Sequence, residues 1–151
     1  MTRLVGIMLI VFALMATAAR AQICTPSVSM VAFGMYDPLA QQPTDSIATV
    51  TVTCTGPAAS LISYHVVFAG SGARARELNG TKGHIEYQLY TDPARTRIWG
   101  DCSSGGSCIS DSYVMGQSSS RRTYAIYSRM LPHQQVLPGT MTDNVMVLLN
   151  Y

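Results

Sequence analysis

Charge is scarce in this chain. Asp, Glu, Lys and Arg make up 12% of its 151 residues, about half their share in an ordinary soluble domain. The formal net charge of +2 is an effect of the first twenty residues. Ten basic residues less Arg3 and Arg20 leave eight, against eight acidic ones, so the rest of the chain is neutral. A nucleic-acid footprint needs a clear basic excess, and none exists here. Metal-ligand spacing is missing too: there is no C-x-x-C, and His65, His84 and His133 are scattered along the chain. Neither G-x-S-x-G nor H-E-x-x-H occurs. Ser118, Ser119 and Ser120 fall in a polar loop, and Asp101 and Asp111 flank a cysteine loop where turn residues are expected. The sequence therefore points to no enzyme, metal site or small-molecule cofactor. No stretch beyond the N-terminus sustains an apolar period of 3.6, which excludes a helical domain.

What is present begins with Met1-Thr2-Arg3, followed by thirteen apolar or small residues from Leu4 to Ala16, then Ala19-Arg20-Ala21. A charged start, a short apolar run and small residues at an A-x-A site predict a secretory signal peptide over residues 1–21. A run of thirteen is too short to cross a bilayer, whose core needs about 20 helical residues. The predicted exported domain is 22–151, a single domain without repeat or linker. A neutral surface with many apolar residues suits a chain that spends its working life packed against partners.

Four cysteines, Cys24, Cys54, Cys102 and Cys108, fall in the exported part. An even count in an exported chain predicts two disulfides, with three possible pairings. The simplest joins neighbours, Cys24 to Cys54 and Cys102 to Cys108. On a loop-entropy basis the longer loop stabilises by about 3–4 kcal/mol and the shorter by about 2 kcal/mol.

Period-two alternation and β-branched runs, separated by Gly, Pro, Asp and Ser, predict strands throughout. A first strand is expected over 27–33. The clearest is 47–55, where Ala48, Val50, Val52 and Cys54 face one way and Thr49, Thr51, Thr53 and Thr55 the other. In 61–69, Ile62, Tyr64, Val66 and Phe68 share a face, with His65 opposite. A Gly/Arg-rich loop over 70–83, with Asn79-Gly80-Thr81 read as a turn, precedes a strand over 84–91 with Ile85, Tyr87 and Leu89 inward. Trp99 is expected to pack at the base of the cysteine loop, and Arg121-Arg122 to form a solvated strand start. Short and long strands follow at 113–116 and 122–131. The last, 142–151, sets Val145, Val147, Leu149 and Tyr151 inward, while Met146 and Leu148 make its other face apolar as well. Six or seven short strands in about 130 residues predict an all-β, Ig-like sandwich. An apolar edge strand is an association hazard unless covered, and a strand supplied by another chain is one way to cover it.

The order of several short motifs adds a resemblance. Phe33-Gly34-x-Tyr36-Asp37-Pro38, Thr51-Val52-Thr53-Cys54 and Tyr87-x-Leu89-Tyr90-Thr91-Asp92 come first. Ala94-Arg95-Thr96, Trp99-Gly100-Asp101 and Gly139-Thr140-x-Thr142-Asp143-x-Val145-x-Val147-x-Leu149-x-Tyr151 follow. In this order the chain resembles the spore coat protein U domain, the subunit module of archaic chaperone–usher pili. The resemblance implies an incomplete Ig-like sandwich lacking its seventh strand. It implies a periplasmic chaperone that lends a strand, an outer-membrane usher, and other pilus subunits as partners. Gly139, Val145, Val147, Leu149 and Tyr151 match the part of the family pattern that lines the open groove, and a Cys24–Cys54 pair is implied as well.

Two departures from the family pattern stand out. Subunits that donate a strand carry a dozen or so residues before the first cysteine, whereas a cut after Ala21 leaves Gln22 and Ile23. Two extended residues cover at most about 7 Å, against roughly 17–20 Å for an ordinary strand. The chain is therefore expected to accept a strand and not to donate one. The Cys102–Cys108 loop, where many relatives have only Gly and Thr, is expected to be a staple. A free-standing secreted coat or a surface-binding tip protein is the competing expectation.

Overall fold

The computed structural model describes residues 22–69, 74–103 and 105–151; the expected signal peptide lies outside the described residues. Among the described residues the regular elements are eight strands and no helix. They are β1 (Ile23–Val28), β2 (Thr44–Thr55), β3 (Leu61–Phe68), β4 (Arg76–Gly80), β5 (Gly83–Tyr90), β6 (Ile109–Val114), β7 (Ser119–Met130) and β8 (Val147–Asn150). Two antiparallel sheets result, one ordered β1-β2-β7-β5-β4 and the other β6-β3-β8.

The alternation in β2 has a direct physical outcome. Ala48, Val50, Val52 and Cys54 are buried against the other sheet, while the threonines between them point outward and Thr51 Oγ1 meets Thr123 Oγ1 of β7 at 3.1 Å. Ile62, Tyr64, Val66 and Phe68 of β3, and Ile85, Tyr87 and Leu89 of β5, supply more of the core. Each such side chain contributes on the order of 1.5–3 kcal/mol on burial. Trp99 is fully buried at the base of the cysteine loop. Its ring stands edge-on to Phe68, with centroids 4.9 Å apart, and its Nε1 donates to Val66 O at 2.9 Å. A large apolar ring with its single donor satisfied is the form in which Trp is buried without cost.

Several boundaries differ from expectation. β2 and β7 each begin three residues early, at Thr44 and Ser119, so Ser119 and Ser120 lie in a strand and not in a loop. The first strand lies earlier, at β1, because the disulfide seats Cys24 directly opposite Cys54 in the β1–β2 register. β4 falls inside the expected loop; its register pairs Gly80 with Gly83 around Thr81-Lys82, and Gly83 sits at φ 137°, a conformation costly for any residue with a Cβ. β6 begins four residues before the expected strand. The last strand is short: residues 142–146 keep the alternation of half-buried and exposed positions, yet only Val147–Asn150 pairs along β3. Ahead of it Thr142 makes a two-bond bridge to Asn79 of β4 (2.8 and 2.9 Å).

Candidate functional site

An apolar groove of about 970 Å³ opens between the sheets. Its floor is the inner face of the larger sheet, including Ile85, Leu89, Ile126 and Met130. One wall is the coil after β1, with Val31 and Phe33; the other is the chain leading into β8, with Val145 and Val147. The walls hold their places through a few polar ties. Tyr36 Oη donates to Leu131 O (3.0 Å) and accepts from Gln134 N (2.8 Å). Gln134 then bonds the backbone of Glu86 twice, accepting from its N at 2.7 Å and donating to its O at 2.8 Å. A side-chain amide thus continues the β5 ladder beyond Tyr87, where β7 ends at Met130.

Tyr87 crosses the floor. Its hydroxyl donates to Asp143 Oδ2 at 2.6 Å and its ring meets Phe33 edge-on at 5.6 Å. Burial, reinforced by the bond to Asp143, raises the Tyr87 phenol far above its ordinary range, so it acts only as a neutral donor. Asp143 and Thr142 together fasten the segment before β8 to the larger sheet.

The groove ends beside two strand edges that carry no partner among the described residues. β8 pairs on one side only, with β3, and β1 pairs on one side only, with β2. Tyr151 spans between them: its hydroxyl accepts from Cys24 N (3.1 Å) and donates to Cys24 O (2.8 Å).

The residues expected to receive a strand occupy this region in different ways. Gly139, Val145 and Val147 line the groove. Leu149 is half-buried against the core. Tyr151 is not turned inward with them: 74% of it is exposed, and only its hydroxyl reaches back to Cys24. An added Cβ at Gly139 would meet nothing within 4 Å, so the folded chain itself does not require glycine there. Sequence reasoning missed the opposite wall. Val31 and Phe33 fall in the strand expected over 27–33, but they and Tyr36 lie in the coil after β1.

Both neighbour-to-neighbour disulfides form, Cys24–Cys54 and Cys102–Cys108. Asp101 accepts from Ser103 N and Oγ (3.0 and 2.8 Å), which lowers its pKa below the ordinary carboxylate range. Asp111 accepts a short bond from Tyr124, whose hydroxyl also meets that of Tyr64 at 2.7 Å. Ser120 meets Tyr113 at 2.7 Å. Arg122 is not simply solvated, because its guanidinium lies 4.3 Å from the centre of the Tyr113 ring. The fold brings His65 of β3 beside the Cys102–Cys108 bridge.

Two antiparallel sheets face to face around one core, with an apolar groove beside unpaired strand edges, define an all-β sandwich of Ig-like type. The model of the Spore Coat Protein U domain matches residues 10–148, and the chain belongs to that family. A search among curated proteins returns no match. Among solved structures the chain is similar to one in the CsuC–CsuE chaperone–tip adhesion subunit pre-assembly complex, from the archaic chaperone–usher Csu pili of Acinetobacter baumannii. The TM-score is 0.56 at 16% identity, over 87% of this chain and 40% of the other. The likeness is one of fold, and this chain spans well under half the length of the solved one.

Proposed function

We propose that this chain is an exported, non-enzymatic subunit of an archaic chaperone–usher pilus or coat, and that it accepts a donor strand in the groove beside β8. The observation that carries this reading is the pairing of an apolar groove of about 970 Å³ with an unpartnered β8 edge. An extended segment laid along β8 would gain main-chain hydrogen bonds, and its alternate side chains would fill the groove. Val145, Val147 and Leu149 are the apolar contacts for such a strand, and Gly139 leaves space for it. A periplasmic chaperone would supply the strand first and a neighbouring subunit at the outer-membrane usher would replace it. Residues 1–21 would direct export, and the assembled chain would stand at the cell surface. Ile23 is already paired with Thr55, so a cut after Ala21 leaves one unpaired residue ahead of β1, which supports acceptance without donation.

The test is periplasmic production of the full chain, alone and together with a chaperone of this pilus class, followed by sizing and thermal melting. A soluble one-to-one complex, with the lone chain aggregated or of low melting temperature, is expected. A second reading, a free-standing coat or surface-binding protein, draws on the Tyr151–Cys24 and Thr142–Asn79 ties, which partly close the sandwich from within. A lone chain that is monomeric, stable and indifferent to the chaperone would establish that reading and remove the first.

A further inference from the structure

The two disulfides stand in opposite environments. Cys24 and Cys54 are buried at 6% and 0% exposure. Cys102 is exposed and Cys108 half-buried, in a loop with a sequence separation of 6. The two sulfurs of this second bridge also differ from each other. Cys108 Sγ lies 3.9 Å from His65 Nδ1 and 3.8 Å from Ser110 Oγ, and those two atoms are 2.7 Å apart. His65 and Ser110 are register partners in the β3–β6 pair, so sheet geometry, not a loop, holds them there. Cys102 Sγ lies within 4.8 Å of the same imidazole, but no hydrogen-bond contact to it is made, and Cys102 is the more exposed of the two residues.

Thiol–disulfide exchange is governed by access to one sulfur and by how well the other carries charge as it leaves. Negative charge left on Cys108 would meet an imidazole and a hydroxyl, groups that stabilise a thiolate. Cys102, exposed and without those two contacts, is the sulfur an incoming thiolate reaches. We propose that the Cys102–Cys108 bridge is an exchange site for a low-molecular-weight thiol, with Cys102 as the sulfur attacked and Cys108 as the leaving group. In the step a thiolate attacks Cys102 Sγ, a new S–S bond forms to the incoming sulfur, and the Cys102–Cys108 bond breaks. Its electron pair leaves on Cys108 Sγ, which then takes a proton from solvent. One disulfide is consumed and one made, so no further oxidant or reductant is needed. The fold tolerates the opening, because Ser107 N donates to Ile98 O and Ser107 O accepts from Gly100 N, both at 2.7 Å. These bonds hold the loop without the bridge. This inference stands apart from the strand-acceptor reading.

The experiment exposes the folded chain, both disulfides formed, to excess reduced glutathione at neutral pH, traps free thiols with N-ethylmaleimide and maps peptides by mass spectrometry. Glutathione on Cys102, maleimide on Cys108 and an intact Cys24–Cys54 pair are expected. His65→Gln, at an exposed position, is expected to slow the reaction roughly three- to tenfold, as loss of leaving-group stabilisation implies. Glutathione on Cys108, an even split between the two sulfurs, earlier opening of Cys24–Cys54, or an unchanged rate in His65→Gln would overturn the proposal. The mapping of the unaltered chain tests it independently of how the variant folds.

Discussion

Removing each disulfide in turn gives the most quantitative test of how this sandwich is held. The Cys24–Cys54 loop has a sequence separation of 30 and the Cys102–Cys108 loop one of 6. Loop-closure entropy assigns about 3.7 kcal/mol to the first and about 2.2 kcal/mol to the second at 25 °C. Burial widens the gap. Cys54 is fully buried in the core cluster, so replacement by alanine also leaves unfilled space there. Cys102 is exposed, and Ser107 keeps its loop anchored by backbone bonds. The Cys24→Ala/Cys54→Ala double variant is therefore expected to lose about 4 kcal/mol, against about 2 kcal/mol or less for Cys102→Ala/Cys108→Ala. For a domain of this size each kcal/mol moves the melting temperature by about 3–5 °C, so the two variants should melt roughly 6 °C or more apart. Urea titration of both, with melting followed by far-ultraviolet circular dichroism, measures the difference. Equal losses, or a larger loss from the short loop, would refute the reasoning, since both entropy and burial order the pair the same way.

Three further outcomes are expected. Gly139→Val should leave the melting temperature of the lone chain within about 2 °C, because an added Cβ meets open space. It should nevertheless weaken chaperone binding at least tenfold by titration; unchanged affinity would remove Gly139 from the strand path. Tyr151→Phe deletes both hydroxyl bonds to Cys24 and should cost about 1–2 kcal/mol in urea unfolding, with no change if water replaces them fully. Asp45 accepts from Arg129 at 2.7 and 2.9 Å, and that bond lowers its pKa below 3.8. A depressed carboxylate contributes stability above its unfolded value, so this contribution falls away as pH drops below 3.8 and through the folded value. Asp45→Asn should flatten the acid limb of the melting-temperature profile, and an unaltered limb would show that the pair is fully screened.

Strands whose one face meets the core were legible from the sequence. β2, β3 and β5 show period-two alternation because burial acts on every second residue, and Val50, Val66 and Leu89 are inside as that alternation requires. β4 was not legible, since Arg76-Glu77-Leu78-Asn79-Gly80 brings one apolar residue to an edge position. The start of β1 was misplaced because its register follows a covalent bond and not a pattern. Residues 142–146 teach a separate lesson: alternation reports burial, while pairing depends on a neighbour within reach, and β3 reaches only Val147–Asn150. Half of the groove was foreseen through Gly139, Val145 and Val147; Val31 and Phe33 were read as part of a strand over 27–33, whereas they form a coil wall after β1. The meeting of His65 with Cys108, 43 residues apart, depends on a strand register that no local motif encodes.

The order in which strands meet has a kinetic consequence. The longest pairing, β2 with β7, sets Thr44 opposite Met130 and Thr55 opposite Ser119, and β3 waits for β8 from His65↔Asn150 to Phe68↔Val147. Only the β1–β2 and β4–β5 contacts join consecutive strands in the larger sheet. Such distant pairing makes for slow folding, and a chain crossing a membrane N-terminus first would hold β2 and β3 unpaired until its last strands emerge. During that interval Val50, Val52 and Val66 lie on bare edges, where association between copies is fastest. A helper protein acting on this chain has its greatest influence in that window, before the sandwich has closed at all.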